Sequence, residues 1–137
     1  MPTPVTARIA ADLLKAVQAR ATRTRRSRSD TIAELVRLGL DVLRYPGITF
    51  VDGPAGLRAH VAGSGLDAWE VVMVHRACKG NEDATRRHLP QLSRGQLRTA
   101  LAYYENHKQE VELILTEQAR APEAWRREVP VPRPARA

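Results

Sequence analysis

Thr6 and Arg8 stand two residues apart in the run Val5-Thr6-Ala7-Arg8-Ile9, and alternate residues of an extended chain point to the same side. With Pro4 at the edge, these side chains form a set whose chemistry suits the base edges of a duplex. An arginine takes guanine O6 and N7 together, and a threonine takes a hydrogen bond or a thymine methyl. Further along, Arg23, Arg25, Arg26, Ser27, Arg28 and Ser29 gather cations and hydroxyls into one short stretch, which is the chemistry of phosphate contact. Residues suited to catalysis are not grouped in this way. The histidines at 60, 75, 88 and 107 are scattered, with no pair at metal-ligand spacing on one helix, and each is expected at the surface or in a cap. Cys78 shares an apolar stretch with Val71 and Val74 and is expected as a small buried hydrophobe, not a nucleophile. Gly63-Ser64-Gly65 lacks the third glycine and the lysine of a phosphate loop. The carboxylate neighbours Glu82/Asp83 and Glu110/Glu112 are of a kind that helical faces produce routinely. The reading is therefore of a protein that is not an enzyme and needs no cofactor or metal.

Composition points the same way. In 137 residues, 22 lysines and arginines face 15 acids, for a net charge of +7 that favours a polyanionic partner, with double-stranded DNA the first candidate. The excess is concentrated at the head, where residues 1–46 carry nine bases against four acids. Aromatics make up only 4% of the chain, so its core must be built from Leu, Val, Ile and Ala. Small aliphatic cores of that kind are often completed by a second copy of the chain. No apolar run approaches membrane-spanning length and no signal peptide is visible, so the chain is expected in the cytoplasm, at the nucleoid, with no membrane partner. One cysteine excludes an internal disulfide and a thiolate zinc cluster.

The elements that must position these residues follow from periodicity. Val5 to Ile9 alternates as a half-buried strand does, and Asp12 to Arg20 reads as a short amphipathic helix carrying Leu13, Leu14 and Val17. Ala21 to Arg26 reads as a basic loop. Ser27 offers an N-cap with Asp30 in the first turn, opening a helix to about Arg44. That helix is apolar on two sides, with Ile32, Val36, Leu40 and Leu43 on one stripe and Leu35, Leu38 and Val42 on another. Two apolar stripes need two coverings. The strand has no partner in its own segment either. Both facts predict a homodimer, or a higher assembly, in which two copies pair their strands antiparallel. Val5, Ala7, Ile9, Ile32, Val36 and Leu40 would form its interface.

Strand, helix, basic loop and capped helix in this order resemble the ribbon-helix-helix (CopG/Arc-like) DNA-binding family over residues 4–44. The match is carried by Val5–Ile9, Asp12-Leu13-Leu14 and Ser27-Arg28-Ser29-Asp30. The resemblance implies a dimer that lays its two-stranded ribbon in the major groove, with the start of the second helix on phosphate. Pro4 departs from a position where many members carry a polar side chain, so base reading rests mainly on Thr6 and Arg8.

Tyr45-Pro46-Gly47 breaks the helix and marks a boundary. Ile48 to Val51 and Leu57 to Val61 read as a hairpin around Asp52-Gly53-Pro54-Ala55-Gly56. Leu66 to Cys78 reads as a helix with Trp69, Val72, Met73 and Ala77 on its inner face. A short helix capped by Asn81 runs to about His88. A long one capped by Ser93 carries Leu97, Ala100, Leu101 and Tyr104 and is continued or kinked near His107 into Val111, Ile114 and Leu115. Of Tyr103 and Tyr104, at least one belongs in a core or interface. Beyond Ala119 the chain turns rich in proline and arginine, with at most a turn or two of helix over 122–127 and a disordered end. Three parts are thus expected: residues 1–45 for DNA binding and dimerisation, 46–118 as a second domain, and 119–137 as a flexible tail. The fold class is mainly α with short β, the second domain being a small hairpin plus helices with a helix-turn-helix-like pair.

Residues 45–118 resemble the antitoxin-like family catalogued as domain of unknown function 433. The likeness lies in Tyr45-Pro46-Gly47-Ile48, Asp52 to Ala59, Asp67 to Val72 and Leu92 to Tyr104, with Glu110 at a position usually acidic. Gly63-Ser64-Gly65 departs from the Gly-Thr-Arg-type segment of many relatives. The resemblance implies an antitoxin paired with a PIN-like ribonuclease toxin, which also represses its own operator. A stand-alone transcriptional regulator or DNA-architectural protein, whose second domain only oligomerises, is the alternative. Arg94 and Arg98 near the start of a helix offer a second DNA contact, though the small net charge of this half favours simple packing around Trp69, Leu89, Leu97 and Leu101. Trp125, with Arg126 beside it, is a candidate anchor for a protein partner, or part of an untethered end.

Overall fold

The computed structural model describes residues 2–53 and 56–128, with side chains described as far as Ala119. Among them are six helices and three short strands. The chain divides into two compact units, Met1–Leu43 and Arg44–Ala137.

The first unit holds α1 (Ala11–Thr24) and all but the last residue of α2 (Arg28–Arg44). α1 runs four residues beyond the expected Arg20, so most of the expected basic loop is helix. The cause is Ala21, one turn after Val17; both are buried, and Ala21 keeps only 2% of its surface. The polar residues around it stay helical because Thr22 and Thr24 donate their hydroxyls to the carbonyls of Gln18 and Arg20, at 3.1 and 2.8 Å. Arg25 then stops the helix in the left-handed conformation, with φ of 56°. The Arg26 N–H donates to the Ala21 carbonyl at 3.0 Å, closing the last turn. Only Arg25 to Ser27 separate the two helices.

The second unit begins with a three-stranded antiparallel sheet in the order β1-β2-β3: Ile48–Gly53, Gly56–Val61 and Leu66–Asp67. Gly53 pairs with Gly56 across the expected hairpin, and Ile48 pairs with Val61. Alternation puts Ile48, Ala59 and Val61 in the core. β3 departs from the expectation. Leu66 and Asp67 read as the start of a helix, but Asp67 instead caps α3 (Ala68–Ala77), its own N–H donating to the Glu70 carboxylate at 3.0 Å. Asp67 is buried, and its carboxylate also takes the Trp69 indole N–H at 3.1 Å and faces His60 Nδ1 at 3.0 Å.

α3 buries Ala68, Val71 and Val72, whereas Met73 and Ala77 face outward. The inner face is therefore rotated from the expected one, because the two adjacent valines, not the half-buried Trp69, set the contact. Cys78 is half-buried. α4 (Glu82–His88) is capped by Asn81, whose side-chain oxygen takes the Ala84 N–H at 2.8 Å. α5 (Arg94–Asn106) opens with a reciprocal cap between Ser93 and Gln96. Its Leu97, Ala100 and Tyr103 join Leu89, Leu92 and Val111 in one core with the sheet. Tyr103 is the buried tyrosine of the pair. Its ring stacks on His107 at 4.0 Å and its hydroxyl donates to Glu110 at 2.7 Å. His107 is the break between α5 and α6 (Lys108–Glu128).

α6 continues well past Ala119, where proline-rich composition argues for an early end. Arg76 on α3 joins Tyr104 on α5 and Glu112 on α6 in an exposed cluster. The Arg76 guanidinium, then the Tyr104 hydroxyl, holds the Glu112 carboxyl below its ordinary value. The tie is therefore present at neutral pH and loosens only as acid protonates Glu112. No helix among the described residues is long and apolar enough to cross a membrane.

Leu97 is fully buried, while Leu113 is 61% exposed on α6. Leu97→Ala is expected to cost about 2–5 kcal/mol in urea unfolding, and Leu113→Ala to fall within about 0.5 kcal/mol of the parent.

Candidate nucleic-acid interface

Residues 2–10 form no strand, helix or turn within the single chain. An isolated strand gains nothing from extension unless a neighbour takes its backbone N–H and C=O groups. The next strands in sequence pair among themselves in the second unit. Thr6, Arg8 and Pro4 are exposed, as are Val5, Ala7 and Ile9 of the opposite alternation. Val5 keeps 86% of its surface, which is unusual for a valine beside helices. The expected ribbon is thus absent from one chain taken alone, and its six residues are all accessible.

The same outward display continues on α2. Val36, Leu40 and Leu43 are 58%, 62% and 79% exposed. They belong to the first of the two apolar stripes. Ile32, the remaining member, is half-buried with Leu35 and Leu38 of the second stripe, whose last member, Val42, is exposed, so the second stripe is covered only along its first turns. Leu13 on α1 is also about half exposed.

At the start of α2, Ser27 caps as its sequence position implies. Its Oγ accepts the Asp30 N–H at 3.0 Å, and its carbonyl takes both the N–H and the hydroxyl of Thr31. Thr31 is thereby buried with its hydrogen bonds made. By helix geometry the N–H groups of Arg28 and Ser29 precede the first intrahelical acceptor and face outward along the axis. With the positive end of the helix dipole they make a place for an anion. Arg28, Ser29 and Arg25 are exposed beside it. Arg25 occupies a left-handed conformation that costs a non-glycine residue roughly 1–2 kcal/mol.

The six expected phosphate residues are not equivalent. Arg23 lies in the last turn of α1, not in a loop. Arg26 is hydrogen-bonded to Glu34 on α2, and Arg20 lies 3.9 Å from the other oxygen of that carboxylate. Glu34 carries no signal of this role in the sequence. Its partners sit eight and fourteen residues away across a turn, where no helical spacing rule applies.

In the second unit, Arg94 and Arg98 each approach Glu82 of α4, at 3.3 and 3.5 Å, and Arg94 also approaches Asp83. Their charge is matched locally, and Leu89 and Leu97 lie in the core with Trp69 and Leu101 packed on it. A groove of about 370 Å³ runs between β2 and α6, lined by Leu57, Arg58, Glu110, Leu113, Ile114 and Glu117. The side chains of Trp125 and Arg126 lie outside the described ones. His88 is exposed and His107 caps the end of α5, as expected, whereas His60 and His75 are half-buried against Asp67 and Thr85. Among the described residues no group of three or more His, Cys, Asp or Glu is placed to hold a metal ion.

No family model, curated protein or solved structure matches this chain.

Ser27→Ala removes the acceptor of the Asp30 N–H. It is expected to lower stability by about 1 kcal/mol in thermal denaturation, with Ser27→Asp retaining most of it.

Proposed function

We propose that the protein is a DNA-binding antitoxin: it binds its operator as a homodimer through residues 4–29 and uses its second unit to hold a PIN-like ribonuclease toxin. The observation that carries the DNA part is the coincidence, in one small basic unit, of an accessible segment outside any strand, helix or turn and an apolar helix face exposed at Val36, Leu40 and Leu43. A second copy answers both. Paired segments 5–9 satisfy each other's backbones, and Val5, Ala7, Ile9, Val36 and Leu40 find apolar contacts, with Ile32 behind them. Fully covering each large side chain contributes roughly 1.5–3 kcal/mol, which a bare two-stranded ribbon lacks.

In such a dimer Thr6 and Arg8 lie on the outer face of the ribbon, where a two-stranded element enters the major groove. Pro4 borders them without a donor. Arg8 takes guanine and Thr6 a hydrogen bond or a methyl. The amides and side chains of Ser27, Arg28 and Ser29, with Arg23 and Arg25, take phosphates and fix the register. Most of the affinity then comes from counterions released at the phosphates, and most of the discrimination from Thr6 and Arg8.

The toxin-binding part rests on the resemblance of residues 45–118 to antitoxin-like domains. Two features support it. Arg94 and Arg98 of α5 are engaged with Glu82 and Asp83, which disfavours DNA at the start of that helix. The groove beside Leu113 and Ile114 offers an accessible apolar surface.

Titration of the purified protein with operator and random duplexes over a range of salt separates the roles. Arg8→Ala is expected to bring operator affinity down to that for random duplex. Arg28→Ala weakens both duplexes alike and flattens the log K against log salt slope by roughly 0.9 for each phosphate it no longer neutralises. Equal loss of sequence preference in the two variants contradicts this division. A PIN-like nuclease gene beside this one, whose growth arrest is relieved on co-expression, is the expected result; absence of such a gene, with no rescue of growth, removes the antitoxin part and leaves a regulator.

A further inference from the structure

The pairing at Glu34 adds a point that the base-reading and phosphate-binding roles leave open, and it rests on the DNA-binding reading above. Arg26 stands next to the Ser27 cap, at the place where an approaching phosphate meets the start of α2. It would be the natural cation for that phosphate. Instead its guanidinium is hydrogen-bonded to Glu34, two turns into α2, and Arg20 from α1 borders the same carboxylate. Glu34 is only about one-quarter exposed, and Arg20 less so, while Arg26 is 41% exposed. The carboxylate therefore sits in a semi-buried position with one cation beside each oxygen.

We propose that Glu34 holds Arg26 back from DNA and so limits the sequence-independent attraction of the dimer for any duplex. Each neutralised phosphate steepens the dependence of log K on log salt by about 0.9. One extra arginine per protomer would steepen it by about 1.8 for the dimer, and would tighten binding at moderate salt on the order of tenfold. That gain would apply to random and operator sequence alike. The ratio of operator to random affinity would be unchanged, but each random site would hold the protein on the order of tenfold longer and slow its search for the operator. Glu34 thus acts as a positioning residue through Arg26.

A tie that merely braced the two helices predicts the opposite sign, because its removal would loosen the fold and weaken binding. Salt titrations with random and operator duplexes distinguish the two. Glu34→Gln is expected to bind both duplexes on the order of tenfold tighter, with the steeper slope, and Glu34→Asp to keep the parent slope. Arg26→Gln tests the same point without disturbing the carboxylate: its slope should equal the parent's, whereas Arg28→Gln flattens. A flattened slope in Arg26→Gln, or an unchanged or flatter slope in Glu34→Gln, overturns the role of Glu34 and leaves the DNA-binding reading standing. If the parent and every variant bind no duplex even at low salt, the DNA-binding reading falls and this role falls with it.

Discussion

A backbone segment without hydrogen-bond partners is costly to bury, and residues 5–9 lie outside any strand, helix or turn of their own chain. Among the described residues of their unit are two helices and no strand. Water satisfies their peptide groups in the lone chain, but it does nothing for Val5 and Ile9, nor for Val36, Leu40 and Leu43 on α2. One aliphatic unit of this size cannot wrap its own second helix. In the proposed dimer a symmetric copy answers both the open segment and the open apolar stripe, supplying a strand and a helix face together. The proposed DNA-reading face exists only as the back of that arrangement.

The second unit is organised differently. It closes its own core around Leu97, Tyr103, Val71 and the sheet residues Ile48 and Val61. Its polar groups are tied to one another: Asp67 to His60 and Trp69, Glu82 to Arg94 and Arg98, Glu112 to Arg76 and Tyr104. Arginines held in this way, Arg76, Arg94 and Arg98 among them, have less to offer a phosphate. What it leaves open is the groove between β2 and α6, apolar along Leu57, Leu113 and Ile114 and acidic at Glu110 and Glu117. That contrast between an unfinished basic head and a self-contained second unit is the structural ground for dividing DNA binding from partner binding.

Local rules carry much of what is legible in the sequence. Ser27, Asn81 and Ser93 announce their helices because a short polar side chain before an apolar run has one good use, the first free N–H groups. The glycines flanking residues 54 and 55 announce the hairpin. Where contacts between distant residues decide, sequence is less informative. α1 ends at a left-handed Arg25, not a glycine, so the stop is invisible, and the burial of Ala21 that drives the helix on is a tertiary fact. Asp67 reads as the first turn of a helix because its role as a cap depends on β3. The inner face of α3 turns on Val71 and Val72 in place of Met73 and Ala77. The partner of Arg26 and those of Arg94 and Arg98 are set by how neighbouring helices meet, which spacing along one helix does not reveal.

The pairing of two N-terminal segments is tested most directly by amide hydrogen exchange at residues 5–9, read alongside the molecular mass in solution at micromolar concentration without DNA. A two-chain mass with slowed exchange at the alternate amides of this segment, both vanishing on dilution to the monomer, is the predicted result. A one-chain mass with exchange at the unprotected rate throughout residues 5–9 would contradict it.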